Sequence, residues 1–262
     1  MTMVEKALSW HYPYNEATSL AAKVSVSELK GRPALSSATD QETDNSLQRF
    51  LLTSADRPRF VSGQSGITAV EHGSAVHLVL EHLDLSGPLT AADINQQIKG
   101  LVDQEFLNEE LAQTIDTVAL VAFFAGPLGR RLSARPDLVR REVPFSLILP
   151  AAEAYSEEQL SPAIASEPIL VQGIIDCLVR EDNGWLLLDF KTDRARGTAL
   201  AQRLDGYKRQ LQLYARALKS LSSLPVAEAY LYFLNTGQTV SVELDPLVPH
   251  SGNAIINKPL QP

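Results

Sequence analysis

The spacing of apolar positions changes character part-way along the chain. Over residues 67–83, Val76, Val79, Leu80 and Leu83 recur three and four apart, which predicts an amphipathic helix carrying His77. Thr90-Ala-Ala-Asp93 is a capping-box sequence and opens a second helix. Asn108 opens a third, expected to run to Phe124 and to stop at Gly126-Pro127, with a short basic helix over 128–134 behind it. Beyond residue 135 the period shortens to two. Residues 139–149, 169–179 and 185–191 predict strands, with Pro144 placing the first at an edge or a bulge. Helical spacing returns over 205–220, and 226–234 with 239–244 predict a hairpin around Asn235-Thr-Gly237. Upstream, residues 1–30 suit a strand and two short helices. Residues 31–58 are polar and turn-rich, as in a surface linker, with 47–52 able to form a turn or two of helix. The chain therefore divides into an N-terminal segment and linker, 1–60, and one domain, 61–262, with a mixed α/β core and no internal repeat.

The pair Asn183-Gly184 between two apolar runs is a strong hairpin signal. Taken as the two turn residues, it pairs Asp182 with Trp185, Arg180 with Leu187, Leu178 with Asp189, and Asp176 with Lys191. One face then presents Ile174, Asp176, Leu178, Leu187, Asp189 and Lys191. The other presents Ile175, Cys177, Val179, Leu186, Leu188 and Phe190, all apolar and in need of burial. Asp176 and Asp189 become diagonal neighbours, roughly 5.5–8 Å apart at Cβ. Two acids at that distance can share a divalent cation, and Mg²⁺ suits them. On the residues alone, an Asp176–Lys191 salt bridge on a solvated face is an equal alternative.

Composition narrows the chemistry. With 45% apolar and 21% charged residues the chain reads as a globular domain. Its single cysteine, Cys177, excludes an internal disulfide, a cysteine-only zinc site and a cysteine-ligated iron–sulfur cluster, and is expected in the core. There is no G-x-x-x-x-G-K-[ST] loop, hence no nucleotide site in this chain. No run approaches the ~20 apolar residues of a membrane span. The first residues lack the layout of a secretory signal, so a cytoplasmic location is expected. The net charge of −8 weighs against a self-sufficient nucleic-acid binder. Any DNA contact is expected to be local, or to borrow phosphate neutralisation from other polypeptide.

Gly173-Ile-Ile-Asp176, twelve residues, then Asp189-Phe190-Lys191-Thr192-Asp193 resembles the G-x-x-D…D-x-K-T-D signature of RecB-like nucleases, in the PD-(D/E)XK, restriction-endonuclease-like superfamily. Gly73-Ser-Ala-Val-His77, Arg141-Glu142-Val-Pro144-Phe145 and Gln210-Leu-Gln-Leu-Tyr214 resemble three flanking motifs, in order, across residues 65–235. Trp10-His-Tyr-Pro-Tyr14, Ser25-Val-Ser-Glu-Leu-Lys30, Phe123-Phe124 and Leu128-Gly129 are similar to the C-terminal nuclease domains of AddA-type helicase–nucleases. Lack of four cysteines sets the chain apart from iron–sulfur members, AddB-type partners included.

The resemblance implies a restriction-endonuclease-like core, a mixed central sheet flanked by helices, with extra N-terminal helices. It implies Mg²⁺-dependent exonuclease action, with Mn²⁺ as substitute, on single-stranded DNA in break repair and recombination. The partners it implies are the helicase region of a parent chain and an AddB-type subunit. It assigns His77, Asp176, Asp189 and the Phe190 carbonyl to the metal, and Lys191 to the attacking water and transition-state charge. Glu142 would support the metal or orient Lys191; Gln210 and Tyr214 would touch the DNA backbone or position Lys191.

Plainer alternatives stand beside each. His77 can pair with Glu81, and Glu142 can be a surface acid beside Arg140 and Arg141. Tyr207, Gln210 and Tyr214 can simply pack helix on sheet. Arg194, Arg196, Lys208 and Arg209 form either a phosphate-binding patch or a solvated helix end. His72 and His82 are expected at the surface, and no motif is found after Pro246. The competing function is a non-catalytic module that docks subunits or guides DNA, which the acidic charge favours.

Overall fold

The computed structural model describes residues 17–18, 20–30, 66–155, 160–193, 197–244 and 254–256. The expected linker at 31–58 and the aromatic run Trp10 to Tyr14 lie outside the described residues. A short strand, β1 (Lys23–Ser25), turns directly into α1 (Val26–Lys30). Ser25 Oγ accepts from the Glu28 amide and Glu28 accepts from the Ser25 amide. Thr68 with Glu71 and Thr90 with Asp93 repeat the device, starting α2 (Ala69–His82) and α3 (Ala91–Asp103). The single helix expected from Asn108 to Phe124 is two. Asn108 caps only α4 (Glu109–Ala112); Thr114 then bonds back to the Leu111 carbonyl and Asp116 caps α5 (Thr117–Ala125). Side-chain caps at both positions satisfy ends that a continuous helix would not have. Gly126 ends α5 and starts α6 (Pro127–Ala134), with Pro127 in the first turn.

The sheet comprises β2 (Val139–Pro150), β3 (Pro168–Glu181), β4 (Gly184–Lys191), β5 (Val226–Phe233), β6 (Gln238–Ser241) and β7 (Ala254–Ile256), with β1 alongside the first part of β3. Its seven strands run in the order β6-β5-β4-β3-β2-β7, with β1 off this path. β1–β3 and β4–β5 pair in parallel and the others antiparallel, so the sheet is mixed as expected. The short helix α7 (Ala151–Ala154) follows β2, and α8 (Gly197–Leu221) makes the crossover between β4 and β5 that a parallel pair requires. α8 starts well before residue 205, where the spacing predicts it. Leu200 and Leu204 continue the stripe of Tyr207, Leu211, Tyr214 and Leu218 upstream of that start, and their burial extends the helix. β7 lies in the tail, where the sequence shows no motif. No described helix is long and apolar enough to cross a membrane.

Each sheet face has its own core. On one, α1, α7 and α8 surround Val171, Ile175, Leu178, Leu187 and Leu231; on the other, α2 to α6 cover Cys177, Val179, Leu186, Leu188 and Phe190. Strict alternation would send Ile175 and Cys177 to the same core, as the hairpin reading assumes. They go to different ones, and in β2 so do Val139 and Val143. The exchange falls at Glu142 and Asp176. Glu142 has φ +48°, the left-handed region that a side chain rarely adopts, and on either side of it the ladder pairs Arg141 with Cys177 and Val143 with Ile175.

The hairpin register also differs by two residues. The turn is Asp182-Asn183, and Gly184 pairs with Glu181 as the first residue of β4. Gly184 has φ +139°, and a Cβ there would stand 2.4 Å from the Pro225 carbonyl oxygen. Glycine is needed for that close approach to the next parallel strand, not for the turn.

Gly129 fixes how α6 lies on the end of α5. An added Cβ would meet the Phe123 carbonyl oxygen at 2.2 Å and Phe124 Cα at 2.4 Å, both backbone. Gly129→Ala is expected to cost roughly 1–3 kcal/mol, read as a lowered thermal midpoint; an unchanged midpoint would contradict this packing.

Candidate active site

The residues that bear chemistry meet where β2 and β3 exchange faces, under α2. His77 Nδ1, projecting from α2, lies 3.4 Å from Glu142 Oε1 and 3.6 Å from Asp176 Oδ2. Potential ligand atoms of these three residues all fall within 4.8 Å of one another. Asp176 Oδ2 also accepts the Phe190 amide at 2.8 Å, so a carboxylate takes over where the backbone ladder of β3 and β4 ends. Asp189 follows Leu188, the last β4 residue laddered to β3, and lies near enough to Asp176 for its charge to act on it. It is fully buried.

Lys191 is consequently not the cross-strand partner of Asp176. Its Nζ lies 2.6 Å from Asp189 Oδ2, donates to Gln210 Oε1 at 3.0 Å, and sits 4.7 Å from the centre of the Tyr207 ring. Gln210 Nε2 donates to the Tyr214 hydroxyl at 2.7 Å, which leaves the amide oxygen facing Lys191. Tyr207 in turn donates to Asp193 Oδ2 at 2.6 Å. Gln210 and Tyr214 are each 1% exposed, so both reach Lys191 or its holder from inside the core.

Other expectations sort as follows. Glu81 lies beside His82, not His77. His72 is half-buried and bonds Thr114, while His82 packs on the Phe106 ring. Arg209 is tied to the Ala154 carbonyl, Lys208 is exposed, and Arg194 and Arg196 lie outside the described residues. Cys177 is buried in the core, which pushes its thiol up to about 12. Two residues carry no role in the sequence reading. Asp193 stands in the D-x-K-T-D text, and Arg141, in R-E-x-P-F, donates to the carbonyls of Leu80 and Leu83 at the end of α2.

The electrostatics are those of a largely buried, acid-rich cluster. Asp176 is pushed up to about 8, mainly by burial; His77 opposes the shift, Asp189 and Glu142 add to it, and Lys191 opposes it. Both carboxylate oxygens of Asp189 are buried without a hydrogen bond of ordinary geometry, although the Lys191 ammonium touches one of them. An under-bonded buried carboxylate beside a second one, an imidazole and Glu142 suits a hard divalent cation, which would favour the charged form of Asp176. The net charge of −8 is also uneven. Residues 71–116, in the helical layer, hold nine Asp and Glu against Lys99 alone, so the remainder is close to neutral.

The profile of the PD-(D/E)XK nuclease superfamily matches residues 44–255. The chain belongs to this superfamily. Among its relatives, an A-type ATP-dependent helicase/nuclease of Moorella thermoacetica is 43% identical over 234 residues, 89% of this chain and 16% of the relative. The proteins of the same name from Desulforudis audaxviator and Geobacillus thermodenitrificans are 41% and 40% identical, over 92% and 91% of this chain. This PD-(D/E)XK chain spans less than a fifth of the length of these relatives, 16–19%.

In the metal-free domain Asp176 takes up a proton on folding, because its pKa rises from 3.8 to about 8. The stability this contributes is complete below the unfolded-state value and is lost as the pH climbs through the folded-state value. Asp176→Asn, neutral throughout, is expected to gain stability relative to the parent as pH rises from about 5 to about 8.5. Thermal denaturation in chelator across that range is the measurement. Parallel pH slopes for the two proteins would mean that Asp176 is ionised when folded.

Proposed function

We propose that this chain is the nuclease domain of an AddA-type helicase–nuclease, hydrolysing phosphodiester bonds of single-stranded DNA with the help of a divalent cation. The observation that carries the reading is the buried acid pair Asp176–Asp189 beside His77, with a lysine ammonium held at its edge. The relatives are named as helicase/nuclease A subunits, which supports a helicase region in the parent chain and a partner subunit; an AddB-type partner and a role in break repair complete the proposal. The cation, Mg²⁺ first and Mn²⁺ as substitute, would be held by His77, Asp176, Asp189 and the Phe190 carbonyl, with Glu142 joining directly or through water. A divalent cation there supplies Lewis acidity toward a phosphate oxygen and a lowered pKa for water.

The chain's own residues do the rest. Lys191 Nζ carries a fixed positive charge that stabilises negative charge gathering on the reacting phosphate and orients the attacking water. Gln210 Oε1 and the Tyr207 ring hold that ammonium independently of Asp189, so it stays aimed when Asp189 is engaged by a cation. Tyr214 fixes the Gln210 amide, and Asp193 fixes the Tyr207 ring. The imidazole of His77, beside two acids and partly exposed, closes the site from the α2 side.

Asp189→Ala and Lys191→Ala are expected to differ in kind. Loss of Asp189 should abolish both Mn²⁺ binding and cleavage. Loss of Lys191 should leave Mn²⁺ binding intact or tighter, since a nearby positive charge is gone, yet cut cleavage on the order of a hundredfold or more. Calorimetric titration beside a single-strand cleavage assay separates the two. Near-parental cleavage by Lys191→Ala would reduce Lys191 to the ion-pair partner of Asp189. Absence of cleavage by the parent with any divalent metal, alone or with its AddB-type partner, would favour a non-catalytic docking module.

A further inference from the structure

β2 grips α2 twice, with consecutive residues. Glu142 meets the side chain of His77, while Arg141 Nη1 donates to the carbonyl oxygens of Leu80 at 2.8 Å and Leu83 at 2.6 Å. Those carbonyls belong to the C-terminal end of α2, where no further turn of helix exists to use them. A guanidinium there satisfies both and complements the negative end of the helix dipole.

The second grip matters because of what the first requires. His77 stands one turn before Leu80 and is 20% exposed, so packing does not hold its ring on every side. Below it, Val76, Val79 and Leu80 set only which stripe of α2 faces the sheet. Each residue step turns a helix by ~100°, so a small rotation or slide of α2 would carry the imidazole away from Glu142 and Asp176. Arg141 opposes both movements, being anchored in β2 opposite Cys177, one pair from the place where the sheet exchanges faces. The left-handed backbone at Glu142 sends adjacent side chains to two points on the same helix.

We infer that Arg141 is a positioning residue for the candidate metal site, clamping the C-terminal end of α2 so that His77 faces Glu142 and Asp176. The inference rests on the metal-dependent reading above for its consequence, but its geometric content does not. Arg141→Met keeps the stem and removes the guanidinium; Arg141→Lys restores a donor in the same place. Arg131→Met is the control, since Arg131 ties α6 to Glu181 and Glu228, away from His77.

Three quantities are measured on the whole chain: thermal midpoint, Mn²⁺ affinity by calorimetry well below that midpoint, and the imidazole NMR signals of His77 in the metal-free protein. Arg141→Met is expected to weaken Mn²⁺ binding about tenfold or more, the scale for partners behind a metal ligand, and to shift the His77 signals. Arg141→Lys should recover most of both. Arg131→Met should lower the midpoint alone. If Arg141→Met changes only the midpoint, Arg141 is a helix cap and the inference is overturned. If Arg141→Met does not fold, Arg141→Gln decides, because its amide stops about two bonds short of the guanidinium and cannot reach the Leu80 and Leu83 carbonyls: weakened Mn²⁺ binding and shifted His77 signals support the clamp, and parental affinity and signals overturn it. Should the parent bind no Mn²⁺, the metal reading fails, and the His77 signals still decide whether Arg141 positions the ring.

Discussion

Carboxylates repel one another most where water is scarce, and Glu142 and Asp176 share the space beneath α2 with one imidazole while a third, Asp189, lies close by against Lys191. Asp189 is fully buried, Asp176 nearly so, and Glu142 is admitted only through a backbone conformation that side chains rarely adopt. Such a group persists because its surroundings over-determine it. β3 runs through both hydrophobic cores, β4 is buried along almost its whole length, and the Phe190 amide pins Asp176 in place. The two helical layers, one on each face, supply the apolar mass that offsets the cost of this arrangement.

Around that acid centre the polar groups are arranged in series. Lys191 answers Asp189, Gln210 answers Lys191, and Tyr214 answers Gln210, while Tyr207 and Asp193 make a second arm. Nearly all of both arms stands on α8 and the end of β4. A buried polar network is specific only if each member is satisfied, and here the under-bonded member is the Asp189 carboxylate. Likewise, the surplus of negative charge that weighs against DNA lies mainly in the helices of residues 71–116 rather than throughout the chain.

Much of this is legible in the sequence. The capping residues Thr90 and Asn108 announce helix starts locally, and the change of period marks the sheet. The motifs mark His77, Glu142, Asp176, Asp189, Lys191 and Gln210; His77, Glu142 and Asp176 form one group and Asp189, Lys191 and Gln210 another beside it. What is not legible depends on distant contacts. A slip of two residues in a hairpin leaves every side chain on its original face, so periodicity cannot detect it; the Pro225 carbonyl pressing on Gly184 decides it. The exchange of faces at Glu142 breaks the alternation rule itself, and no local signal announces a glutamate with positive φ. The early start of α8 reflects burial of Leu200 and Leu204 against the sheet. Arg141 reads as one more surface charge until the end of α2 is placed beside it.

The shared strand β3 also has a bearing on how the domain comes apart. Because it lends Ile175 and Leu178 to one core and Cys177 and Val179 to the other, loss of either helical layer would bare part of the strand that carries Asp176. Partial opening on either side would leave buried strand faces wet, so the intermediate states that many layered proteins visit are penalised here. The contributing segments are also far apart in the chain, with α2 meeting strands that follow it by many residues, so the ring of His77 reaches its acids only after long-range pairing is complete. Occupancy of the site by an ion would then report on the folding of the whole domain, and a chain not yet finished would have nowhere to bind one.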